Sequence, residues 1–308
     1  MKKIAFLYPG QGSQKVGMGK NFSKLYPPAR NIFEEAHQIL GFDIERICIE
    51  GPEKELTRTY NLQPALLTIN WILTRFIKEK GVLPSAVAGH SLGEYSALLA
   101  AEVIDFPEGL KIVKERARLM EKAGKENKGS MAAVIGMSAE DVLKVCNRAK
   151  DVYVVNFNCP GQVVISGCRD EVTKTGEKLK KIGARGIIPL PVSGAFHSPL
   201  MKEASKEFSS FLENFEFKDP ICPVVSNSTG NYATTGRQVK ENLKLQMDHP
   251  VLWEKSMRLL LTYGFNVFLE VGPGKVLQGL MKRINKRVTL TGIESVDSIN
   301  QVKTLLSS

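Results

Sequence analysis

The chain has 308 residues, 43% of them hydrophobic and 24% charged, which is typical of a globular protein and excludes a disordered one. This length suits one large domain or two moderate ones, and no apolar run is long enough for a membrane span. The formal net charge of +10 fits solvated helix faces or attraction of an acidic partner, and charge alone does not choose between an acidic protein, a nucleotide-like ligand and nucleic acid. No nucleic-acid motif accompanies the basic residues, so we expect neither a nucleic-acid nor a membrane partner, and we expect a cytoplasmic protein.

The first third of the chain alternates short β-rich runs with longer helical patterns. Strands are predicted at Ile4–Tyr8 and Ala86–Ala88, and helices at Pro64–Lys78 and Pro107–Ala123. Strands that alternate with helices of this length are typical of an α/β domain with a parallel sheet.

The middle third follows a different order: strand, helix, strand, strand, helix, strand. The predicted elements are, in chain order, Ser130–Gly136, Ser138–Ala149, Val152–Phe157, Gln162–Ser166, Asp170–Ile182 and Gly186–Val192. This order predicts a small split βαβ insert, with Gly124–Gly129 as the linker into it and Pro191–Gly194 as the segment that leaves it. The last third returns to α/β character, with strands predicted at Cys222–Ser226 and Asn266–Val271.

A Gly-x-Ser-x-Gly pentapeptide, Gly89-His90-Ser91-Leu92-Gly93, lies between the apolar run Ala86–Ala88 and a helix-like stretch at Glu94–Ala101. A strand that turns sharply into a helix presents the serine oxygen at the tip of the turn. The next backbone N–H groups then point at charge developing on a substrate carbonyl. Ser91 is therefore a candidate nucleophile, although the pentapeptide alone leaves open an ordinary strand–turn–helix junction without a catalytic role.

A serine nucleophile needs a base, and the chain offers four histidines. His37 lies in a helical pattern, and His249 precedes a proline. His90 is adjacent to Ser91, so its side chain should point away from the serine oxygen. His197 lies in a loop between small residues just before a helix, which suits a catalytic base. Position alone leaves a structural role for His197 equally open.

Neither a tightly bound cofactor nor a metal ion is predicted. The loop Gly10-Gln11-Gly12 follows the first strand, but Lys15 stands where a dinucleotide fingerprint needs its third glycine, and the Walker pattern is absent. The five cysteines are scattered and include no Cys-x-x-Cys pair, so neither a disulfide framework nor a zinc site is expected. We expect all five to be small buried hydrophobic residues: Cys48, Cys146, Cys159, Cys168 and Cys222.

Five motifs together carry a specific resemblance, because they occur in a fixed order and extend over essentially the whole chain. They are Pro9-Gly10-Gln11-Gly12-Ser13-Gln14, Gly89-His90-Ser91-Leu92-Gly93-Glu94-Tyr95, Asn158-Cys159-Pro160-Gly161-Gln162-Val163-Val164-Ile165-Ser166-Gly167, Gly194-Ala195-Phe196-His197-Ser198 and Glu270-Val271-Gly272-Pro273-Gly274. In these motifs the chain resembles the malonyl-CoA:acyl carrier protein transacylases. The resemblance implies a hydrolase-like α/β domain with a parallel sheet, formed by residues 1–124 and 195–308. A small ferredoxin-like α+β subdomain would be inserted at residues 125–194.

The resemblance also implies roles for residues that perform the chemistry. Ser91 matches the serine that is acylated, and His197 matches its general base. Gln11 and Leu92 match the positions whose backbone N–H groups form the oxyanion hole. A base of this kind can take the proton of a serine hydroxyl, which is a poor nucleophile while it is protonated.

Four further residues are matched to substrate binding and orientation. Arg116 matches the arginine that binds the malonyl carboxylate, which a guanidinium can do with two parallel hydrogen bonds; Arg118 is the rival if the register is shifted. Gln246 matches the residue whose backbone carbonyl orients the histidine. Asn158 matches an asparagine near the substrate channel, and Phe196 would crowd a side pocket in the manner of the malonyl-selecting enzymes.

The function implied by the resemblance is a ping-pong transfer of malonyl from malonyl-CoA to the phosphopantetheine thiol of an acidic acyl carrier protein, which supplies extender units for fatty acid synthesis. Malonyl-CoA is then a substrate, and the protein is expected to be a monomer. The basic cluster that meets the carrier protein is left open among Lys111–Lys128, Lys174–Arg185 and Lys282–Arg287.

Three alternatives stand beside this hypothesis. The first is a trans-acting acyltransferase of polyketide synthesis. The second is an α/β-hydrolase-type thioesterase, which would need a carboxylate such as Asp105 or Asp151 as a third catalytic member. The third is a noncatalytic docking module for acyl carrier protein, which the basic charge would suit but which leaves Ser91, His197 and Arg116 without a purpose.

Overall fold

The computed structural model describes residues 3–192 and 194–298. The strands are β1 (Ile4–Tyr8), β2 (Ala86–Gly89), β3 (Gly129–Ile135), β4 (Val152–Cys159), β5 (Gln162–Cys168), β6 (Gly186–Pro189), β7 (Val224–Val225), β8 (Tyr232–Ala233), β9 (Val267–Val271) and β10 (Thr289–Ile293). The α-helices are α1 (Phe22–Leu25), α2 (Pro28–Leu40), α3 (Ile44–Ile49), α4 (Glu53–Leu56), α5 (Thr59–Glu79), α6 (Gly93–Ala100), α7 (Phe106–Asn127), α8 (Ala139–Cys146), α9 (Arg169–Lys181), α10 (Lys202–Leu212), α11 (Gly236–Gln246), α12 (Trp253–Thr262) and α13 (Val276–Ile284).

The larger sheet has six strands in the order β10-β9-β1-β2-β7-β8. Neighbouring strands of this sheet run parallel except at one edge, where β8 runs antiparallel to β7. The first strand therefore lies inside the sheet, with β2 beside it in parallel register. Because the carboxyl ends of β1 and β2 are neighbours, the loops that follow them meet at one edge of the sheet. Open α/β sheets bind their ligands at this edge.

The central strand β1 is buried along its whole length, which explains why its sequence is a continuous apolar run. Phe6 and Tyr8 belong to the larger core, which also contains the apolar residues of α5, α6 and α7. Ala5 and Leu7 alternate with them and belong to a second core with α12 and α13. Helices thus cover both faces of the larger sheet.

The smaller sheet has four antiparallel strands in the order β4-β5-β3-β6. α8 and α9 cover one face of it through a core that includes Val134, Ile165 and Leu179. The other face contributes Ala133 and Val164 to the core of the larger sheet. Two helices on one face of an antiparallel sheet with this chain order form a ferredoxin-like unit. The expected fold class, a parallel α/β sheet with a small α+β insert, is confirmed.

The two sheets are joined through β4 and the turn that follows it. Val251, just before α12, accepts a backbone hydrogen bond from Phe157 and donates one to Val155, at 2.9 and 2.8 Å. Arg283 of α13 donates to the Gln162 side chain at 2.6 Å. The exact residues at which the chain would divide, 124/125 and 194/195, stay a prediction.

The expected linker Gly124–Gly129 is wrong in its first part, because α7 continues to Asn127. Lys125 pairs with Glu121 one turn earlier at 2.9 Å, and such pairs support the end of a helix. Glycine at position 124 therefore lies inside the helix and does not end it. The expected exit segment Pro191–Gly194 includes Ser193, which lies outside the described residues.

The expectation that every cysteine is buried is wrong for Cys168, which is exposed. It is the last residue of β5 and directly precedes α9, where the chain leaves the sheet. The other four cysteines are buried, and all five are free thiols. Among residues 3–192 and 194–298, no helix combines the length and the apolar character that crossing a membrane requires.

Candidate active site

Ser91 lies at the tip of a sharp turn between β2 and α6, and its backbone has a φ of +52°. This left-handed conformation is unfavourable for a residue with a side chain and is typical of a nucleophile elbow. The flanking glycines are sterically required, because a Cβ on Gly89 would collide with the backbone of Gly93. A Cβ on Gly93 would collide with the carbonyl oxygen of Tyr8 on the neighbouring strand. The pentapeptide is therefore dictated by the close approach of β1, β2 and α6.

His197 forms a hydrogen bond with Ser91, with 2.7 Å between Nε2 and Oγ. Its Nδ1 lies 2.8 Å from the carbonyl oxygen of Gln246. A carbonyl can only accept, so Nδ1 carries the proton and Nε2 accepts from the serine hydroxyl. The backbone of His197 is also left-handed, with a φ of +61°. Both members of the Ser91–His197 pair are thus held in backbone conformations that the surrounding fold must stabilise.

Burial and, next, the positive charge of Arg116 lower the pKa of His197 to about 3. The imidazole is therefore neutral at physiological pH and has a free lone pair for the serine proton. His197 is buried while Ser91 is partly exposed, so a substrate meets the serine oxygen first. This arrangement can deprotonate a serine hydroxyl as it attacks a carbonyl carbon.

Arg116 of α7 is fully buried, and its guanidinium reaches the nucleophile. Its Nη2 donates to Ser91 Oγ at 3.2 Å and to the Gln246 side-chain oxygen at 3.0 Å. Its Nη1 donates to Gln63 of α5 at 2.6 Å. Within the described residues its Nε–H has no acceptor. Arg118, the alternative candidate, is exposed and forms ion pairs with carboxylates, including one with Glu115 at 2.7 Å.

The loop after β1 lies against the elbow, because a Cβ on Gly10 would collide with the carbonyl oxygen of His90 and would lie 3.6 Å from Leu92 N. In the part of the chain that the structure describes, the backbone N–H groups of Gln11 and Leu92 donate to no other residue. The Leu92 N–H directly follows Ser91, and the Gln11 N–H belongs to the loop that packs against the elbow; the two loops follow neighbouring parallel strands.

The other matched residues occupy different positions. Asn158 forms a hydrogen bond with His90, at 2.9 Å between Oδ1 and Nε2, and does not bond to Ser91. His90 therefore points away from the serine oxygen, as expected, and packs beside Trp253 with 5.4 Å between ring centroids. Phe196 is buried in the core of the larger sheet, where a Cβ on Gly194 would meet its ring.

Two residues at the site, Glu94 and Asn227, receive no role from the sequence. Asn227 accepts from the backbone N–H of Ser91 at 2.7 Å and donates to the carbonyl oxygen of Gly89 at 2.6 Å. Glu94 is buried and accepts from the side-chain amide of Gln246 at 2.6 Å. A signal existed for both, since Glu94 directly follows the pentapeptide and Asn227 follows β7 at the same edge of the sheet. An acidic residue in the first turn of a helix is common, so its position alone indicates no role at the site.

Among the residues that the structure describes, no carboxylate bonds to His197, and its Nδ1 partner is a backbone carbonyl. Asp105, one of the carboxylates considered for a hydrolase triad, instead caps the N-terminus of α7. Across residues 3–192 and 194–298, no group of three or more His, Cys, Asp or Glu side chains is arranged to hold a metal ion.

Comparison with known proteins agrees with this geometry. The acyl transferase domain model matches residues 5–303. A malonyl CoA-acyl carrier protein transacylase of Bacillus subtilis (strain 168) is 42% identical over 303 residues, which is 97% of this chain and 96% of that protein. The crystal structure of an acyl carrier protein S-malonyltransferase from Vibrio cholerae is 40% identical with a TM-score of 0.94, and it covers 98% of this chain and 100% of its own.

A second solved structure contains a malonyl-transacylase in complex with its type II polyketide synthase acyl-carrier protein. It is 37% identical, with a TM-score of 0.95, and the match covers 100% of both chains. Identity at this level along nearly the whole length extends beyond the motifs to the fold that positions them. The chain therefore belongs to the family of malonyl CoA-acyl carrier protein transacylases.

Proposed function

We propose that the protein transfers a malonyl group from malonyl-CoA to the phosphopantetheine thiol of acyl carrier protein, through a malonyl-Ser91 intermediate. The observation that carries this proposal is the contact of one oxygen with two groups. Ser91 Oγ lies 2.7 Å from His197 Nε2 and 3.2 Å from Arg116 Nη2. A nucleophile beside a buried cation suits an acyl group that carries its own carboxylate.

In the first half-reaction, His197 Nε2 takes the hydroxyl proton as Ser91 Oγ attacks the thioester carbonyl of malonyl-CoA. The oxyanion that forms would be held by the backbone N–H groups of Gln11 and Leu92. The tetrahedral intermediate collapses, the carbon–sulfur bond breaks, and the proton on His197 neutralises the departing thiolate. The malonyl ester on Ser91 and free coenzyme A are the products.

In the second half-reaction the malonyl group leaves Ser91. The phosphopantetheine thiol gives its proton to His197 and attacks the ester carbonyl of malonyl-Ser91. The ester bond breaks, and His197 returns the proton to Ser91 Oγ. The carbonyl oxygen of Gln246 keeps the proton-bearing Nδ1 of His197 in place in both steps, so no carboxylate is needed as a third member.

The malonyl carboxylate is separated from the thioester carbonyl by one methylene group, which matches the short distance from Ser91 Oγ to the guanidinium. On binding, this carboxylate would replace Ser91 Oγ as the acceptor of Arg116 Nη2. The Gln63 and Gln246 side chains would keep the guanidinium in its orientation. Phe196 and Asn158 would shape the surroundings of the site at a greater distance.

Mass spectrometry of the intact protein tests the intermediate. Incubation with malonyl-CoA should add the mass of one malonyl group at Ser91, and holo-acyl carrier protein should then remove it, while the apo form, which lacks the thiol, should not. Ser91→Ala should show no adduct. Absence of an adduct on the wild-type chain would refute the proposal, and release of free malonate at the rate of transfer would favour the thioesterase instead.

The carrier protein that we propose is that of fatty acid synthesis. The solved complex in the family contains a carrier protein of a type II polyketide synthase, so that alternative has a specific observation in its favour. Transfer rates measured with a fatty acid carrier and with a polyketide carrier, both in the holo form, distinguish the two. We expect the higher kcat/KM with the fatty acid carrier.

A further inference from the structure

We propose that Glu94 is a positioning residue for malonyl selectivity: its carboxylate fixes the Gln246 amide, and the Gln246 amide in turn aims Arg116 at the malonyl carboxylate. This inference rests on the proposed role of Arg116. Glu94 does not touch the nucleophile or the histidine, and it acts through a second side chain. It lies in the first turn of α6, directly after the pentapeptide.

The Gln246 side chain is the link between Glu94 and the site. Its Nε2 donates to Glu94 Oε2 at 2.6 Å and to the carbonyl oxygen of Ser91 at 3.0 Å. Two acceptors on the amide nitrogen leave only the amide oxygen to face Arg116, whose Nη2 donates to it at 3.0 Å. The amide orientation that attracts the guanidinium is therefore set by the carboxylate of Glu94.

The second oxygen of Glu94 has a separate partner. Its Oε1 accepts from the backbone N–H of Asn227 at 3.2 Å. Asn227 in turn holds both sides of the elbow through Ser91 N and Gly89 O. Glu94 thus accepts from two donors, one leading to the carboxylate-binding arginine and one leading to the nucleophile. An ionised carboxylate offers one acceptor oxygen to each of these donors and carries no proton that would need an acceptor of its own.

The cost of this arrangement points to a function. Glu94 is buried, and burial raises the pKa of its carboxyl to about 7, although Gln246, Asn227 and Arg116 oppose the shift. The charged and titratable groups that act on it are Arg116 of α7 and Tyr95 of its own helix. Burial of a carboxylate costs free energy, and a neutral side chain at this position would avoid that cost.

Substitution by glutamine separates the two roles of the carboxylate. Glu94→Gln keeps the shape of the side chain but leaves a single acceptor for the two donors. If the Asn227 N–H keeps that acceptor, the Gln246 amide turns over and presents its NH2 group to the guanidinium. Arg116 then loses its acceptor and its orientation. Acetyl-CoA has no carboxylate, so its reaction does not depend on where Arg116 points.

The test is the ratio of kcat/KM for malonyl-CoA to that for acetyl-CoA, measured by coenzyme A release. Loss of a buried acceptor facing a charged donor corresponds to roughly a tenfold change, so we expect Glu94→Gln to lower the ratio about tenfold or more. Glu94→Asp, which keeps the charge and both acceptors, should retain most of the ratio. Asn227→Ala is the matched control, because it loosens the elbow and should slow both substrates alike.

Equal losses on both substrates in Glu94→Gln, with Arg116→Ala still lowering the ratio, would overturn the inference and leave the proposed function intact. Failure of Arg116→Ala to change the ratio would instead overturn the role of Arg116.

Thermal unfolding provides a second readout that does not depend on turnover. Because the folded-state pKa is raised from 4.5 to about 7, the contribution of Glu94 to wild-type stability should fall as the pH rises through that interval. Glu94→Gln should lack this fall, and an identical pH dependence in both proteins would show that the carboxyl is not buried as described.

Discussion

We expect Arg116 to carry the specificity of the proposed reaction, because its side chain is wholly buried and donates to the nucleophile itself. Replacing it with alanine removes the cation that would meet the malonyl carboxylate. We expect Arg116→Ala to lower kcat/KM for malonyl-CoA by roughly 100-fold, about the 2–5 kcal/mol found for one partner of a buried charge pair. Activity towards acetyl-CoA should fall far less. Coenzyme A release measured with both substrates gives the comparison.

Arg118 provides the matched control for that prediction. It lies two residues further along the same helix, but its guanidinium is exposed and bonded to Glu115 and Glu207. Exposed ion pairs contribute only about 0–1 kcal/mol, so Arg118→Ala should leave the substrate ratio unchanged. A larger loss of selectivity in Arg118→Ala than in Arg116→Ala would mean that the register of the resemblance is shifted by two residues.

The protonation state of His197 is likewise determined by the surroundings of one side chain. With its pKa lowered to about 3, the ring should stay neutral from pH 8 down to about pH 5. An ordinary histidine, with a pKa of ~6.5, would be mostly protonated at the lower limit. Nitrogen NMR of the imidazole should show a protonated Nδ1 and an unprotonated Nε2 throughout.

The same shift has a consequence for stability. The unfolded chain binds this proton more readily than the folded chain, so the contribution of His197 to stability should decrease as the pH falls below about 6.5. His197→Gln should decrease less over the same range in thermal unfolding. A titration of the His197 ring near its ordinary value would contradict the burial that the structure describes.

At the scale of elements, the sequence identifies the elbow itself but not the residues that surround it. The pentapeptide, the preceding strand and the following helix are local, and the sequence predicts all of them. The contacts of Ser91 with His197 and Asn227 join residues 106 and 136 positions apart, and no local pattern encodes such a contact. Roles for His197 and Arg116 came from the resemblance, whereas Glu94 and Asn227 became visible only when the sheet order placed them.

Helix boundaries show a second limit of the sequence. A proline favours the first turn of a helix, so the pattern starts the helix at Pro64, but α5 begins at Thr59 and carries the proline inside it. α7 likewise continues to Asn127, past the glycine that was expected to begin a linker. In both cases packing against neighbouring helices outweighs the preference of one residue.

The elbow glycines allow a test at the same scale. Gly93→Ala places a Cβ against the carbonyl oxygen of Tyr8, which belongs to rigid backbone of the central strand. We expect a loss of about 1–3 kcal/mol or more in the free energy of unfolding, the range for forcing extra atoms into a packed core. Acylation of Ser91 should be lost with it. Thermal unfolding followed by circular dichroism measures the first effect and mass spectrometry the second.

Gly279 of α13 is the control for that substitution, because a Cβ there meets nothing within 4 Å. Alanine favours a helix interior over glycine by about 0.5–1 kcal/mol, so Gly279→Ala should be neutral or stabilising and fully active. Equal effects at both positions would mean that the elbow tolerates a side chain and that its glycines are not sterically required.

At the scale of the whole molecule, the basic residues differ in whether other parts of the protein already bond to them. Arg283 of α13 is occupied by the turn between β4 and β5, through Gln162 and the carbonyl oxygen of Pro160. In contrast, Lys178 and Lys181 near the end of α9 are exposed, and the described residues provide no ion-pair partner for them. An acidic carrier protein would therefore meet free cations at Lys178 and Lys181 on α9, whereas Arg283 on α13 is already bonded to another part of the protein.

We accordingly expect α9 to attract the carrier protein. The double reversal Lys178→Glu and Lys181→Glu should lower the rate of malonyl transfer to holo-acyl carrier protein by roughly tenfold at low salt, since like charges remove electrostatic steering. The reversal Arg283→Glu on α13 should leave that rate nearly unchanged, because this guanidinium is already held by the turn between β4 and β5. Acylation of Ser91 by malonyl-CoA serves as the internal control, and the α9 effect should shrink as salt is added, because exposed charges are screened. A loss that is independent of salt, or larger for α13 than for α9, would place the docking surface elsewhere.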